Sequence, residues 1–212
     1  MKESTKKIYD ELFDRYPVLV GEKQNVLSAF ALLRSVYLSD KKLLLCGNGG
    51  SASDCEHIAG ELIKSFKKKR PLEKTDEEKL TALGEDGATL ANVLERGLKT
   101  VSLTSHLALS TAFANDKEPL ATFAQQLYVL GDEGDALLCL STSGNSQNCV
   151  YAALTAKAKG IKTLAITGAK ESRLSALCDV CIQAPETETY KVQELHLPIY
   201  HCLCAMLEEE IF

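Results

Sequence analysis

Five short apolar runs, separated by longer helical stretches, are the feature that most constrains the fold of this chain. They cover residues 42–46, 100–103, 136–140, 163–166 and 180–182. Apolar runs of this length are typical of strands that are buried on both faces of a sheet. Because the strands alternate with helices, we predict a three-layer α/β fold in which helices flank a five-stranded parallel sheet.

The length and composition fit a single domain that spans residues 1–212. Apolar residues make up 45% of the 212 residues, which is enough for a substantial core. Apolar side chains at three- and four-residue spacing predict helices over 5–37. Residues 67–99 break the alternation with a basic run, a polar stretch and a short helical segment at 89–96. We interpret 67–99 as an insertion over the domain edge, with the basic run either a solvated helix end or in contact with substrate or a partner.

Charge and cysteine usage narrow the classes of function. The net charge of −5 gives no basic surface for nucleic acid. The N-terminus has no signal-peptide core, and no run of about 18 apolar residues predicts a membrane span. The eight cysteines lie mostly in apolar or helical stretches, without zinc-finger pairing. Cys178 and Cys181 form a C-x-x-C pair that is either structural or redox-active, and we favour reduced thiols and a cytoplasmic protein.

Two polar loops follow predicted strands. Residues 46–52 read CGNGGSA, where glycines allow close backbone approach to a ligand and a helix start favours anions. A tight turn capped by Ser51 explains this loop equally well. Residues 141–146 read STSGNS, which places four hydroxyls and free amides together, as a phosphate requires. A plain Ser/Thr-rich turn is the alternative for this second loop. Two such loops at strand ends of one sheet favour a ligand site more than either loop alone.

Two helices carry groups that suit proton transfer. His57 and Glu61 are four residues apart, on one face of the helix that starts at the first glycine loop. A simple surface pair is the alternative for these two residues. Gln193 and His201 lie two turns apart on the last helix, which contains Pro198. A lone histidine at such a position is more often a packed core residue.

These motifs, in this order and over nearly the whole chain apart from the insertion, resemble those of the phosphoheptose isomerases. The shared set is GNGGSA, H-x-x-x-E, A-x-A-N-D, STSGNS and Q-E-x-H-x-x-x-x-H. The resemblance implies a SIS (sugar isomerase) domain with a flavodoxin-like sheet. It also implies isomerisation of sedoheptulose 7-phosphate to D-glycero-D-manno-heptose 7-phosphate through an enediol. The alternative is a non-catalytic SIS protein that binds phosphosugars or associates with a replication initiator.

The resemblance assigns roles to individual positions. Glu61 and His201 would be the catalytic acid–base groups. The residues implied to bind substrate are Asn48, Gly49, Gly50, Ser51, Asn115, Asp116, Ser141, Thr142, Ser143, Ser146 and Gln193. The residues implied to bind one Zn²⁺ are His57, Glu61, Gln193 and His201, a mixed nitrogen and oxygen set that suits zinc.

The resemblance further implies a homotetramer with active sites between subunits. Two features depart from the family pattern and leave the identity of the sugar open. One is the insertion at 67–99, and the other is His106, which stands where many members carry an aspartate. His106 is either a substrate contact or a loop residue that caps or packs.

Overall fold

The computed structural model describes all residues, 1–212, and contains one five-stranded sheet. The strands are β1 (Leu43–Gly47), β2 (Thr100–Ser102), β3 (Ala136–Leu140), β4 (Lys162–Gly168) and β5 (Val180–Ala184). All pairings are parallel, in the order β2-β1-β3-β4-β5. The predicted fold class and all five predicted strands are therefore confirmed.

Helices cover both faces of the sheet. They are α1 (Glu3–Arg15), α2 (Lys23–Leu38), α3 (Gly50–Ile63), α4 (Lys74–Thr81), α5 (Glu85–Val93), α6 (Leu107–Asp116), α7 (Thr122–Leu130), α8 (Gln147–Ala158), α9 (Arg173–Leu177) and α10 (Thr189–Ile211). Short 3-10 helices at Pro17–Glu22 and Pro119–Ala121 complete the elements. None of the helices is long and apolar enough to cross a membrane.

Alternation along the strands divides the core into two layers. Leu43 and Leu45 of β1 point into a cluster of 29 buried residues formed with α1, α2, α3 and α10. Leu44 and Cys46 point to the opposite face, into a cluster of 15 formed with α7, α8 and α9. Because side chains of a strand alternate between faces, an unbroken apolar run fills both layers at once.

The segment at 67–99 contains a helical hairpin that differs in detail from the prediction. The stretch predicted as charged and polar contains α4, and the predicted helix at 89–96 instead begins at Glu85 and ends at Val93. The two helices pack on each other and bury only Gly87, so apolar periodicity could not locate them. The base of the hairpin is closed where the Arg96 N–H donates to the Arg70 carbonyl at 2.7 Å.

A buried ion pair ties this segment to the last helix. Glu208 of α10 accepts from Arg70 Nε at 2.8 Å and from the backbone N–H groups of Phe66, Lys67 and Lys68. The Arg70 guanidinium, fully buried, also donates to the carbonyls of Leu62 and Glu61 at the end of α3. This pair therefore joins the end of α3 to α10.

Candidate active site

The two predicted ligand loops meet at one edge of the sheet. The loop after β1 and the loop after β3 are neighbours, because β1 and β3 are adjacent strands whose helices lie on opposite faces. In sheets of this strand order, that switch point opens a crevice at the carboxyl ends of the strands, where ligands bind. A reciprocal amide pair joins the first loop to the start of α8, directly after the second loop: Asn48 and Asn148 donate to each other at 2.9 and 2.8 Å.

Two glycines of the loop at 46–52 are required by local structure, one by its backbone conformation and one by a close side-chain contact. Gly49 has φ of +56°, a left-handed conformation that glycine adopts without strain. Gly50 begins α3, and a Cβ placed there would lie only 2.7 Å from the Gln193 side-chain nitrogen. Gln193 of α10 therefore lies against the first turn of α3. Ser51 is buried, and its N–H donates to the Asn48 carbonyl.

The serine loop presents donors to the crevice. The backbone N–H groups of Thr142, Ser143 and Ser146 form no hydrogen bond within the chain, and α8 begins directly afterwards. Unpaired amides at the start of a helix favour an anion. The buried Ser141 hydroxyl is paired with that of Ser146 at 3.0 Å, whereas Ser143 is exposed. The free N–H groups and hydroxyls of this loop therefore suit the binding of a phosphate group.

The predicted acid–base groups form a second cluster, further along α3. His57 Nε2 lies 3.3 Å from Glu61 Oε1 and 3.4 Å from His201 Nε2. Helices α3 and α10 pack side by side and bring the two segments together. Pro198 does not interrupt α10, which continues to Ile211. Burial lowers the pKa of His201, and the neighbouring His57 acts in the same direction, against an opposing effect of Glu61.

Two residues that sequence reasoning missed support this cluster. The Tyr200 hydroxyl lies 3.0 Å from His57 Nδ1 and donates to Asp54 Oδ1 at 3.2 Å. Asp54 precedes His57 by three residues on α3, so it shares a helix face with that histidine. The i, i+3 spacing was a usable signal for Asp54. Nothing in the sequence marked Tyr200 beyond its place beside His201.

Gln193 contacts the glycine loop but not the acid–base cluster, and the side chains of Asn115 and Asp116 bond to neither group. Gln193 is eight residues from His201 on the same helix, about 12 Å along its axis. Asn115 and Asp116 end α6, are exposed, and are bonded to each other at 2.9 Å. His106 precedes α6, and its Nδ1 lies 2.6 Å from Oε1 of the buried Gln126. The structure therefore brings together His57, Glu61 and His201, but neither Gln193 nor the Asn115–Asp116 pair joins them.

The donor set can be tested against a zinc ion. Ligands held at about 2.0–2.1 Å in a tetrahedron are separated by about 3.3–3.4 Å. The distances from His57 Nε2 to Glu61 Oε1 and to His201 Nε2, 3.3 and 3.4 Å, match that ligand–ligand separation. However, no group of three or more His, Cys, Asp or Glu side chains is arranged to hold a metal ion as the chain stands. The ligand atom types suit zinc, and so do two of the distances between them. One chain does not bring all four proposed ligands to one point.

Comparisons with known proteins agree on one family. The family model described as SIS domain matches residues 83–168. The phosphoheptose isomerase of Aneurinibacillus thermoaerophilus is 39% identical over 203 residues, which cover 91% of this chain and 90% of that protein. Phosphoheptose isomerase 2 of Campylobacter jejuni is 36% identical, with 96% and 90% covered.

A solved structure extends the agreement to the fold. The phosphoheptose isomerase of Neisseria gonorrhoeae superposes with a TM-score of 0.71 at 27% identity, covering 97% of this chain and 94% of that one. The family predicted from the motifs is thus confirmed over nearly the full length of both partners. The chain belongs to the phosphoheptose isomerase family.

Proposed function

We propose that this chain interconverts sedoheptulose 7-phosphate and D-glycero-D-manno-heptose 7-phosphate through an enediol. The observation that carries the proposal is the pairing of an amide- and hydroxyl-rich loop at the switch point with a carboxylate–histidine cluster on the adjoining helix. The loop suits the phosphate, and the cluster suits proton transfer. Relatives named phosphoheptose isomerase, which align over most of the chain, support the choice of sugar.

The proposed mechanism assigns one role to each group. Transfer of a carbonyl between C1 and C2 requires a base that removes a proton from carbon and a group that moves protons between oxygens. Glu61, with its side chain 15% exposed, is the proposed carbon base. His201 is the proposed proton shuttle on oxygen, because an imidazole can both accept and donate a proton near pH 7. The asparagine and glycine residues after β1, 48–50, would bind sugar hydroxyls.

We propose zinc as the resident metal, held by His57, Glu61 and His201 with Gln193 as a further ligand. When bound, zinc would act as a Lewis acid that stabilises the negative charge of an enediolate. The axial separation of Gln193 from His201 means that one chain does not supply all four ligands to one point in this conformation.

We also propose a homotetramer with active sites between subunits. Helix α6 buries none of its side chains, and Leu107 is 75% exposed. Exposed apolar surface of this kind marks interaction sites. A second copy would also account for Asn115 and Asp116 as substrate ligands, since in their own chain their side chains bond only to each other. Light scattering on the purified protein should give four chain masses, and a monomer would refute this assembly.

The proposed location is the cytoplasm. All eight cysteines are free, including Cys46 and Cys139, whose sulfurs lie 3.5 Å apart in the core. Reduced thiols in this number suit a reducing compartment. The C-x-x-C pair at Cys178 and Cys181 fits the structural alternative. Hydrogen bonding with Cys139, together with burial, raises the pKa of Cys178, and burial raises the pKa of Cys181, so both thiols are poor nucleophiles.

The activity is tested with a panel of ketose phosphates that differ in chain length, assayed with and without added zinc. We expect fastest turnover of sedoheptulose 7-phosphate. Faster turnover of another sugar would keep the reaction type and replace the substrate, and His106 and the 67–99 segment would then be examined for the cause. Tight binding of phosphosugars without turnover would favour the non-catalytic alternative.

Replacing Ser143 with alanine tests the phosphate cradle. We expect KM for the phosphosugar to rise about 10-fold or more, with a smaller fall in kcat, because the phosphate is a remote handle bound equally in ground and transition states. The matched control is Ser28→Ala, in α2, whose hydroxyl accepts only from the Gln24 side chain one turn earlier on the same helix. An unchanged KM in Ser143→Ala would remove this loop from the site.

Metal removal tests the zinc proposal. Protein purified without chelator is expected to contain one zinc per chain, and dialysis against a chelator should lower both activity and melting temperature because the ion binds only the folded state. Re-addition of zinc should restore both. If elemental analysis finds no zinc, and added zinc changes neither quantity, the metal proposal is wrong.

A further inference from the structure

We propose that Tyr200 is a positioning residue that fixes the tautomer of His57, so that Nδ1 carries the proton and the lone pair of Nε2 faces Glu61 and His201. The proposal rests on the metal and catalytic roles proposed for this cluster, but its physical content is independent of them. It follows from a hydrogen-bond chain that runs from Asp54 through Tyr200 to His57.

The first step concerns the single proton of the Tyr200 hydroxyl. Its oxygen lies 3.2 Å from Asp54 Oδ1 and 3.0 Å from His57 Nδ1. An ionised carboxylate can only accept, so the Tyr200 proton must lie toward Asp54. Were that proton instead given to His57, two oxygens with no proton between them would face each other at 3.2 Å.

The second step follows for the imidazole. With its proton committed to Asp54, the Tyr200 oxygen can only accept from His57, so Nδ1 must carry a hydrogen. A phenol keeps its proton at neutral pH because its ordinary pKa is about 10. In neutral His57 the free lone pair is then on Nε2.

The third step concerns what Nε2 faces. His201 Nε2, at 3.4 Å, can donate to this lone pair, and Glu61 Oε1 lies beside it at 3.3 Å. A metal-bound histidine commonly has its other ring nitrogen held by a protein acceptor, which fixes both tautomer and orientation. Ring packing adds to the constraint, since Tyr200 is buried and lies edge-on to both His57 and His201.

The test compares wild type, Tyr200→Phe and the matched control Tyr9→Phe, whose hydroxyl donates to the Lys23 carbonyl away from the cluster. Nitrogen-15 NMR of the metal-free protein reports the tautomer directly, and a His57→Gln sample assigns the signals. We expect a protonated Nδ1 and an unprotonated Nε2 in wild type and in Tyr9→Phe. In Tyr200→Phe the protonated position should shift toward Nε2, which free histidine prefers in water.

Zinc titration against a chelating dye supplies the second readout. Loss of such a supporting partner typically weakens metal affinity by about 10–100-fold, and we expect that loss in Tyr200→Phe alone. A wild-type His57 protonated on Nε2 would overturn the proposal, as would an identical nitrogen spectrum in Tyr200→Phe. If wild type binds no zinc but shows the expected tautomer and its loss in Tyr200→Phe, the metal role fails while the positioning role stands.

Discussion

Replacing Glu61 with glutamine is expected to lower kcat for the phosphosugar by about 10²–10⁴-fold, the usual contribution of a general acid or base. The substitution preserves shape and removes the charge that would take a proton from carbon. Glu61 lies beside His57, and its backbone carbonyl is held by the buried Arg70. Substrate binding should therefore persist, because the variant alters one functional group without moving the helix.

The matched control is Glu56→Gln, a carboxylate on the same helix that accepts from the Thr104 hydroxyl. We expect this variant to retain most of the wild-type kcat. His201→Ala should lose at least as much rate as Glu61→Gln, with a wider loss if it also holds zinc. Full rates in both Glu61→Gln and His201→Ala, measured beside an active wild type, would refute the site assignment.

Replacing Glu208 with alanine is expected to lower the free energy of unfolding by about 3–5 kcal/mol, the typical cost of removing one partner of a buried ion pair. Both Arg70 and Glu208 are buried, at 0% and 1% exposure. The variant leaves the Arg70 charge without its partner and deprives three backbone N–H groups of their acceptor. The loss is measured from urea unfolding curves.

Two further variants separate charge pairing from general damage to the helix. Glu209→Ala removes the neighbouring carboxylate, whose bonds to Lys68 and Ser4 are partly exposed, and should cost about 1 kcal/mol or less. The double variant Arg70→Met with Glu208→Leu should be less destabilised than Glu208→Ala, because no buried charge is left unpaired. Equal stability of Glu208→Ala and Glu209→Ala would contradict this account of the pair.

The strands could be predicted from the sequence, and the hairpin at 67–99 could not. An apolar run such as Leu43–Gly47 identifies a strand because a parallel sheet buries both of its faces. Helices α4 and α5 lack that signal, since they bury almost nothing and are held by local bonds and by each other. That 67–99 is an insertion relative to the family remains a prediction.

The glycines and hydroxyls of the loops at 46–52 and 141–146 predict a ligand site from residue types alone, and the strand order brings these two loops together. Their binding role remains a prediction. The sequence did not predict which residues of a long helix would lie close enough together to share one site. Helix rise separates Gln193 from His201 by about 12 Å, which the motif alone does not reveal. Tyr200 was missed because a tyrosine beside a histidine is ordinary in a buried helix.

The measurement that most directly tests the central claim is NMR of product formed from sedoheptulose 7-phosphate by wild-type enzyme in heavy water. An enediol passes its proton through an exchangeable acid, so deuterium should enter the aldose product at the carbon next to the carbonyl. The expected result is heptose 7-phosphate labelled at that carbon. No conversion of sedoheptulose 7-phosphate or of any other ketose phosphate, with phosphosugar binding retained, would contradict the account and favour a binding protein built on the same fold.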